Sequence, residues 1–547
     1  MSVENKTVEI SFESLLRIFT VPEAPDSTLS QIETRLSKNL NAFLRDHIVA
    51  EEKPLHELER LFSTSYIPES ASFVSDHTQE LLQNLVAHSV HTSSPSFIGH
   101  MTSALPYFLM PLSKIMIALN QNLVKIETSK AFTPLERQVL GMLHHLIYGY
   151  DDSFYSQHMH SASHSLGAFC SGGTIANITA LWVARNNALN RDSNFAGVGE
   201  EGVFSALMHY GYKGMAILSS ERGHYSLKKA ANVLGIGQKG IIQVKTDKDN
   251  RLCPNDLSHT IETLKNDRIL PIAVVGIAGT TETGNIDPLD QIADVCQQHN
   301  VHFHVDAAWG GATLLSNKYR PLLKGIERAD SVTIDAHKQM YIPMGAGMVL
   351  FRSPNAMSTI EHHAQYILRK GSKDLGSYSL EGSRSGIAML LYSAFHIIGR
   401  PGYELLINES IEKANRFAGL IQNSENFELI SKPELCLLTY RYIPERVKHC
   451  LQTASKDQRL DINNLLNRLT MYIQKVQREN GKSFVSRTQL NPLEYHSQDT
   501  IVFRVVLANP LTTDKVLQSI LVEQQSIAQQ GNSPIHELNQ YIQDISN

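Results

Sequence analysis

Asp306, in VHFHVDAAWGG, and Lys338, in SVTIDAHKQM, stand 32 positions apart and could together do chemistry that neither does alone. Each closes a short apolar run, the pattern of a buried strand that ends in polar residues. A carboxylate and an amine delivered in this way suit pyridoxal phosphate, which needs a lysine as Schiff-base partner and an acid beside its pyridine nitrogen. Singly, each has a commoner structural use: aspartates often close strands, and lysines often follow histidines. Open α/β sheets bind ligands at the carboxyl ends of their strands, so the two in this order say more than either one.

Such a cofactor also needs an anion site. Cys170-Ser171-Gly172-Gly173-Thr174 lies between a strand-like run, GAFC, and a helical run, TIANITALWVARN. Glycines there let backbone N–H groups close on a phosphate, the hydroxyls of Ser171 and Thr174 add donors, and a helix N-terminus favours negative charge. A tight turn with a threonine cap would have the same composition. The GxGxxG from Gly235 to Gly240 follows a helical run and precedes IIQVKT. Dinucleotide binding needs the reverse, a strand and then a helix. His158, His160 and His164, and Glu361-His362-His363, have no complementary Cys or carboxylate spacing, so no metal site is expected.

The elements that must position these residues read as an α/β fold. From about 96 to 400, GAFCSG, MAILSS, IAVVGIAGTT and VHFHVDAA alternate with helical runs such as HYSLKKAANVL and PLDQIADVCQQH. That alternation predicts a largely parallel sheet wrapped by helices, a large cofactor-binding domain over 96–400. Residues 1–95 predict a helical segment, with Ile32, Leu36, Leu40 and Phe43 on one face and Leu81, Leu82, Leu85 and Val86 on another. It has too few apolar residues for a core of its own and would pack within the chain or on a second subunit. The pattern breaks at Gly399-Arg400-Pro401-Gly402, which predicts a boundary near 400 and a smaller α+β domain over 401–547.

At 547 residues, 42% of them hydrophobic, the chain can bury a large core. Its net charge of −5 and lack of a basic run argue against nucleic acid or an anionic membrane as partner. The most apolar stretch, ALPYFLMPLSKIMIAL, is interrupted by Pro106, Pro111 and Lys114, so no membrane span is expected. Five scattered cysteines, never at CxxC spacing, and a first segment with early acidic residues and no apolar run fit a reducing, cytoplasmic setting.

As a set these motifs resemble the group II pyridoxal-phosphate-dependent amino acid decarboxylases, relatives of the glutamate and aromatic amino acid decarboxylases, from about residue 90 to 515. The resemblance implies the fold of aspartate aminotransferase (fold type I), a homodimer with active sites at the subunit interface, and pyridoxal 5'-phosphate as cofactor. It implies Lys338 as the Schiff-base lysine and Asp306 as the partner of the pyridine nitrogen. By the same likeness Gly172, Gly173 and Thr174, with Ser171 adjoining, form the phosphate loop, and His224 of SSERGHYSLKKA stacks on the ring. Thr280 of AGTTETGNIDP and Ala308 would be neighbours of the cofactor, and His337 a neighbour of its phosphate. Tyr366 of HHAQYILRKG resembles a loop tyrosine that returns a proton to the carbanion, and Arg504 of TIVFRVVLANP the arginine that meets a substrate carboxylate. His100, in PSFIGH, stands where aromatic amino acid decarboxylases often carry tyrosine.

One position departs from the pattern. Many animal relatives have Asn-Pro-His-Lys where this chain has Asp335-Ala336-His337-Lys338, and a direct bond from Asp335 to a phosphate would set two anions together. The stretches LLRIFTVPEAPDSTLS and PELCLLTYRYIP are similar to bacterial members that turn L-aspartate into β-alanine and CO2, a supply for pantothenate. The implied activity is decarboxylation of a small L-amino acid, most closely aspartate, with glutamate, 2,4-diaminobutyrate or an aromatic amino acid as rival substrates. An aminotransferase or a non-catalytic cofactor-binding homologue would share Asp306 and Lys338.

Overall fold

The computed structural model describes residues 53–364, 371–492, 495 and 498–546. They group into two compact units: His100–His449 with Thr488–Pro510, and the described parts of Met1–Gly99, Cys450–Arg487 and Leu511–Asn547.

The first unit holds a seven-stranded sheet of β1 (Gly167–Cys170), β2 (Gly214–Ser220), β3 (Ile241–Val244), β4 (Ile269–Ile277), β5 (His302–Asp306), β6 (Ser331–Asp335) and β7 (Gly347–Phe351). Their order is β1-β7-β6-β5-β4-β2-β3. Neighbours from β3 to β6 run parallel, and β7 is antiparallel to both β6 and β1. The mostly parallel sheet read from the alternation of runs is therefore present. Its central strands are buried along nearly their whole length, which is why they read as continuous apolar runs. Asp306 and Asp335 close adjacent parallel strands, whose register pairs His304 with Ser331 and Asp306 with Thr333.

Helix α1 (Gly173–Ala188) follows β1 after Ser171-Gly172. Ile178 and Leu181 pack with Ile217 and Val275, while Ala176, Ala180 and Val183 pack with Val349 and Phe351. A helix apolar on so many sides belongs in a core, where each large side chain contributes roughly 1.5–3 kcal/mol. Helices α2 (Ser226–Val233) and α3 (Leu289–His299) follow β2 and β4. The glycine run at 235–240 lies between α2 and β3, the wrong order for dinucleotide binding.

The break at 399–402 is not a point where the chain divides. Two helical stretches, together α4 (Ala388–Gln422), meet there at Gly399, whose φ 68° and ψ 166° are not helical, with Pro401 in the first turn of the second stretch. A proline suits a first turn, where its missing N–H would be unpaired, so a kink at Gly399 stands where a boundary was expected near 400, inside the unit His100–His449. A second sheet, β8 (Phe427–Ser431), β9 (Leu437–Tyr442), β10 (Ser486–Leu490) and β11 (Thr500–Val506), has the order β10-β11-β9-β8.

In the other unit, α5 (Lys456–Asn480) packs on α6 (Asp514–Ala528) and α7 (Ile535–Ser546). Its stripe of Ile462, Leu466, Leu469 and Ile473 is buried, and a capping box of Ser455 and Gln458 opens it. Phe97 stacks on Phe484 with ring centroids 5.0 Å apart, so amino-terminal residues group here with two stretches of 401–547. The helices Leu55–Leu61 and Val74–Asn84 belong to the expected helical segment; Leu82 is buried, Leu81 and Leu85 are exposed. Ile32, Leu36, Leu40 and Phe43 lie outside the described residues. Among the described residues no helix is long and apolar enough to cross a membrane.

Candidate active site

A cavity of about 490 Å³ is lined by the turn before α1 and by residues at the carboxyl ends of β4, β5 and β6. Its walls include Ser171, Gly172, Gly173, Thr174, His224, Asp306, Ala308, His337, Lys338, His100 and Arg504, so nearly every residue singled out in the sequence converges here. Thr280 does not line it. Its hydroxyl is turned into the loop, 2.8 Å from that of Thr283 and accepting the Asn285 N–H at 3.1 Å, and Thr281 lines the cavity instead. Tyr366 lies outside the described residues.

Lys338 is positioned by a tight turn at the end of β6, where its N–H meets the Asp335 carbonyl at 3.2 Å. Its Nζ lies 3.1 Å from Asp335 Oδ2, and His337 Nε2 lies 3.6 Å from the same oxygen. Asp335 thus has cationic and imidazole neighbours of its own. The close approach of α1 to these strand ends depends on glycine. A Cβ on Gly173 would stand 2.7 Å from Asp335 Oδ2, and one on Gly347 would stand 2.5 Å from the Gly172 carbonyl carbon. Such contacts are too short for any side chain, so only glycine brings the first turn of α1, with its unsatisfied N–H groups, onto the cavity.

Asp306 sits in a hydrogen-bond chain whose every direction can be deduced. An ionised carboxylate only accepts: Oδ2 takes Asn177 Nδ2–H at 2.8 Å and Oδ1 takes the Ala308 N–H at 3.1 Å. Asn177 gives its other amide hydrogen to Ser226 Oγ at 3.0 Å, and the Ser226 N–H donates to His224 Nδ1 at 3.3 Å, so Nδ1 is an acceptor and the Ser226 hydroxyl, 2.9 Å away, donates to it. His224 therefore carries its proton on Nε2. Asn177 Oδ1 must accept from His304 Nε2 at 3.1 Å, which leaves His304 Nδ1 to accept from Ser331 Oγ at 2.9 Å, and Ser331 to accept from His302 Nε2 at 2.8 Å. Burial pulls the His304 pKa down to about 4, against the nearby Asp306 charge, which keeps it neutral as this pattern requires. Burial also lowers the pKa of His224, opposed by Asp306.

Elsewhere on the wall, buried Arg504 on β11 gives its Nε–H to the Thr281 carbonyl at 2.6 Å. Burial draws its pKa to about 10, opposed by Glu282. His100 is pushed toward its neutral form by burial and by the charges of Arg504 and Lys338. Arg222, also on the wall, pairs through Nη1 with Glu282 at 3.1 Å.

Together these features fit pyridoxal phosphate: a glycine-built helix N-terminus for a phosphate, a buried acceptor-only acid for a ring nitrogen, and an amine on the same wall. Asn177, Ser226, His304, Ser331 and Arg222 were missed in the sequence. Signals existed for two: Asn177 is an amide set between the apolar residues Ile175, Ala176, Ile178 and Ala180, and His304 shares a strand face with Asp306 by period two. His158 Nδ1 and His164 Nε2 hydrogen-bond at 2.8 Å and do not line the cavity. Among the described residues no group of three or more His, Cys, Asp or Glu could hold a metal ion.

Comparison with known proteins agrees with this geometry. The family model described as "Pyridoxal-dependent decarboxylase conserved domain" matches residues 56–443. The chain is 68% identical over 545 residues to an aspartate 1-decarboxylase of Aliivibrio fischeri, covering 100% of both. It is 31% identical to acidic amino acid decarboxylase GADL1 of Xenopus tropicalis over 67% of this chain and 68% of that one. The crystal structure of mouse CSAD superposes with a TM-score of 0.80 at 25% identity, over 93% of this chain and 100% of that chain.

Proposed function

The chain belongs to the pyridoxal-dependent decarboxylase family, and from that premise we propose that it converts L-aspartate to β-alanine and CO2 with pyridoxal phosphate as cofactor. The observation that carries this reading is the convergence on one cavity of Lys338, the buried acid Asp306 and the glycine-built start of α1. The choice of aspartate comes from the Aliivibrio relative.

When bound, the cofactor supplies a protonated ring that accepts the electron pair released as the Cα–carboxylate bond breaks. Gly172, Gly173, Thr174 and Ser171 hold its phosphate, with His337 adjoining, and Lys338 supplies the amine that anchors its aldehyde carbon. Asp306 holds the proton at the ring nitrogen, and Asn177 keeps that carboxylate oriented. His224, held by Ser226 and kept toward its neutral form by burial, would offer its Nε2–H side to the ring. Ala308, on the cavity wall near Asp306, would adjoin the ring. Arg504 grips a substrate carboxylate by its planar fork, with His100 beside it. Tyr366 returns a proton to Cα. The active unit is a homodimer, and five unpaired cysteines suit a reducing compartment.

The test is turnover of the purified, cofactor-loaded protein with L-aspartate, L-glutamate and L-2,4-diaminobutyrate in parallel, following CO2 and the amine. Selective formation of β-alanine is expected. CO2 mainly from another amino acid overturns the substrate, and keto acid without CO2 overturns the reaction. Light scattering should give twice the chain mass of 61.1 kDa.

A further inference from the structure

The cavity wall holds a second guanidinium to which the reading above gives no task. We propose that Arg222 receives the side-chain carboxylate of a short dicarboxylic substrate, while Arg504 receives the other carboxylate. The inference deepens the decarboxylase reading and rests on it for the place where substrate sits.

Charge counting along the wall leads to this assignment. The basic residues that line the cavity are His100, Arg222, His224, His337, Lys338 and Arg504. Burial drives all three histidines toward their neutral forms. Lys338 is committed to the cofactor. Two guanidiniums remain, and a substrate such as aspartate carries two carboxylates.

Local geometry supports the same role. Arg222 lies two residues before His224, on the turn that joins β2 to α2, so the turn that carries the ring-facing histidine also carries this charge. Its side chain is only 10% exposed, and its Nε is buried without a hydrogen-bond partner. An unmade bond at a buried guanidinium is costly until a ligand supplies the acceptor. Glu282 contacts Nη1 at 3.1 Å and Glu221 stands 3.9 Å from Nη2, but their side chains are 40% and 50% exposed, so solvent screens both charges and a ligand carboxylate can compete with them for Arg222. Glu282 adjoins Thr281, whose carbonyl holds Arg504 Nε. One loop thus braces both guanidiniums, and a carboxylate matches each of them where a neutral amide would not.

The experiment titrates succinate, and its monoamide succinamate, into the pyridoxal-phosphate-loaded enzyme by calorimetry. Wild type should bind succinate roughly 10- to 100-fold more tightly than succinamate. Arg222→Gln should abolish that preference and Arg222→Lys should restore part of it, while the visible absorbance of lysine-bound cofactor stays unchanged. Glu282→Gln should tighten succinate several-fold by removing a competing carboxylate, whereas a merely structural Arg222 would lose affinity with its brace. If Arg222→Gln does not fold, the opposite shifts of Arg222→Lys and Glu282→Gln carry the test. No preference in wild type, a preference that survives in Arg222→Gln, or weaker binding in Glu282→Gln overturns the inference. Turnover separates the two readings. CO2 from aspartate with an unchanged KM in Arg222→Gln overturns the Arg222 subsite and leaves the function. An Arg222-dependent succinate preference in an enzyme that releases no CO2 from aspartate overturns the function and leaves the subsite.

Discussion

The two ends of the cavity are built on different terms. Around Asp306 the polar atoms form a buried relay, His302–Ser331–His304–Asn177–Asp306 with a branch through Ser226 to His224, in which each donor has one acceptor. Elsewhere on the wall, Arg222 keeps an unpartnered Nε, and its carboxylate neighbours Glu282 and Glu221 are both open to solvent. A fully satisfied buried network fixes one geometry, which suits a cofactor that stays. A wall with hydrogen-bonding capacity in reserve suits a ligand that comes and goes. The difference teaches where variation is tolerated: little at the Asp306 end, more around the arginines.

The comparison can be broken at its strongest point first. Lys338→Ala should lower turnover by more than about 10³-fold and abolish the visible absorbance of lysine-bound cofactor; a retained band would remove Lys338 from that task. Asp306→Asn should keep the fold and the bound cofactor but lower kcat by roughly 10²–10³-fold, because the ring-nitrogen proton loses its anionic partner. Near-normal kcat there would show that the relay is only structural. At the arginines the loss should fall on binding: Arg504→Lys should raise KM for substrate roughly 10-fold with cofactor absorbance unchanged, and a fall in kcat alone would erase the distinction between the ends.

Smaller effects test the relay away from the chemistry. His304→Leu leaves Asn177 Oδ1 without a donor and Ser331 with His302 as its remaining partner, and should cost about 1–3 kcal/mol in denaturant unfolding, with a modest fall in kcat. The same histidine predicts a pH dependence. Folded His304 stays neutral down to about 4, whereas an unfolded histidine takes up its proton near 6.5. Its contribution is therefore complete above about 6.5 and is lost as pH falls toward 4, by about 1.4 kcal/mol per unit. Burial holds His144 near 4 as well, so unfolding free energies measured from pH 7.5 to 4.5 should fall by at least that slope, and His304→Leu should reduce the slope by about one histidine's share.

Much of this was legible because its physics is local. Buried parallel strands must be apolar throughout, so β2, β4, β5 and β6 announced themselves as runs, and the chemistry-bearing residues at their ends followed. The two glycines after β1 were legible as an anion turn. Their sharper reason, that a Cβ at Gly173 would strike Asp335, needs a contact between residues 162 positions apart. Gly399 and Pro401 read as a boundary because composition marks a bend without saying whether the helix resumes. Motif position points to Thr280, and only the folded loop, in which the Thr280 hydroxyl bonds within the loop, shows that Thr281 lines the cavity.

By itself, then, the sequence determined the class of sheet, the acid and the lysine at its strand ends, and the cofactor they suit. It did so through residue type and short-range periodicity. Tertiary structure alone decided the directed relay behind Asp306, the pairing of Asp335 with Lys338, and the brace that ties Arg222 and Arg504 to one loop. Those depend on which atoms meet once strands pair in register and helices close over them. A hydrogen bond between distant residues leaves no period in the chain.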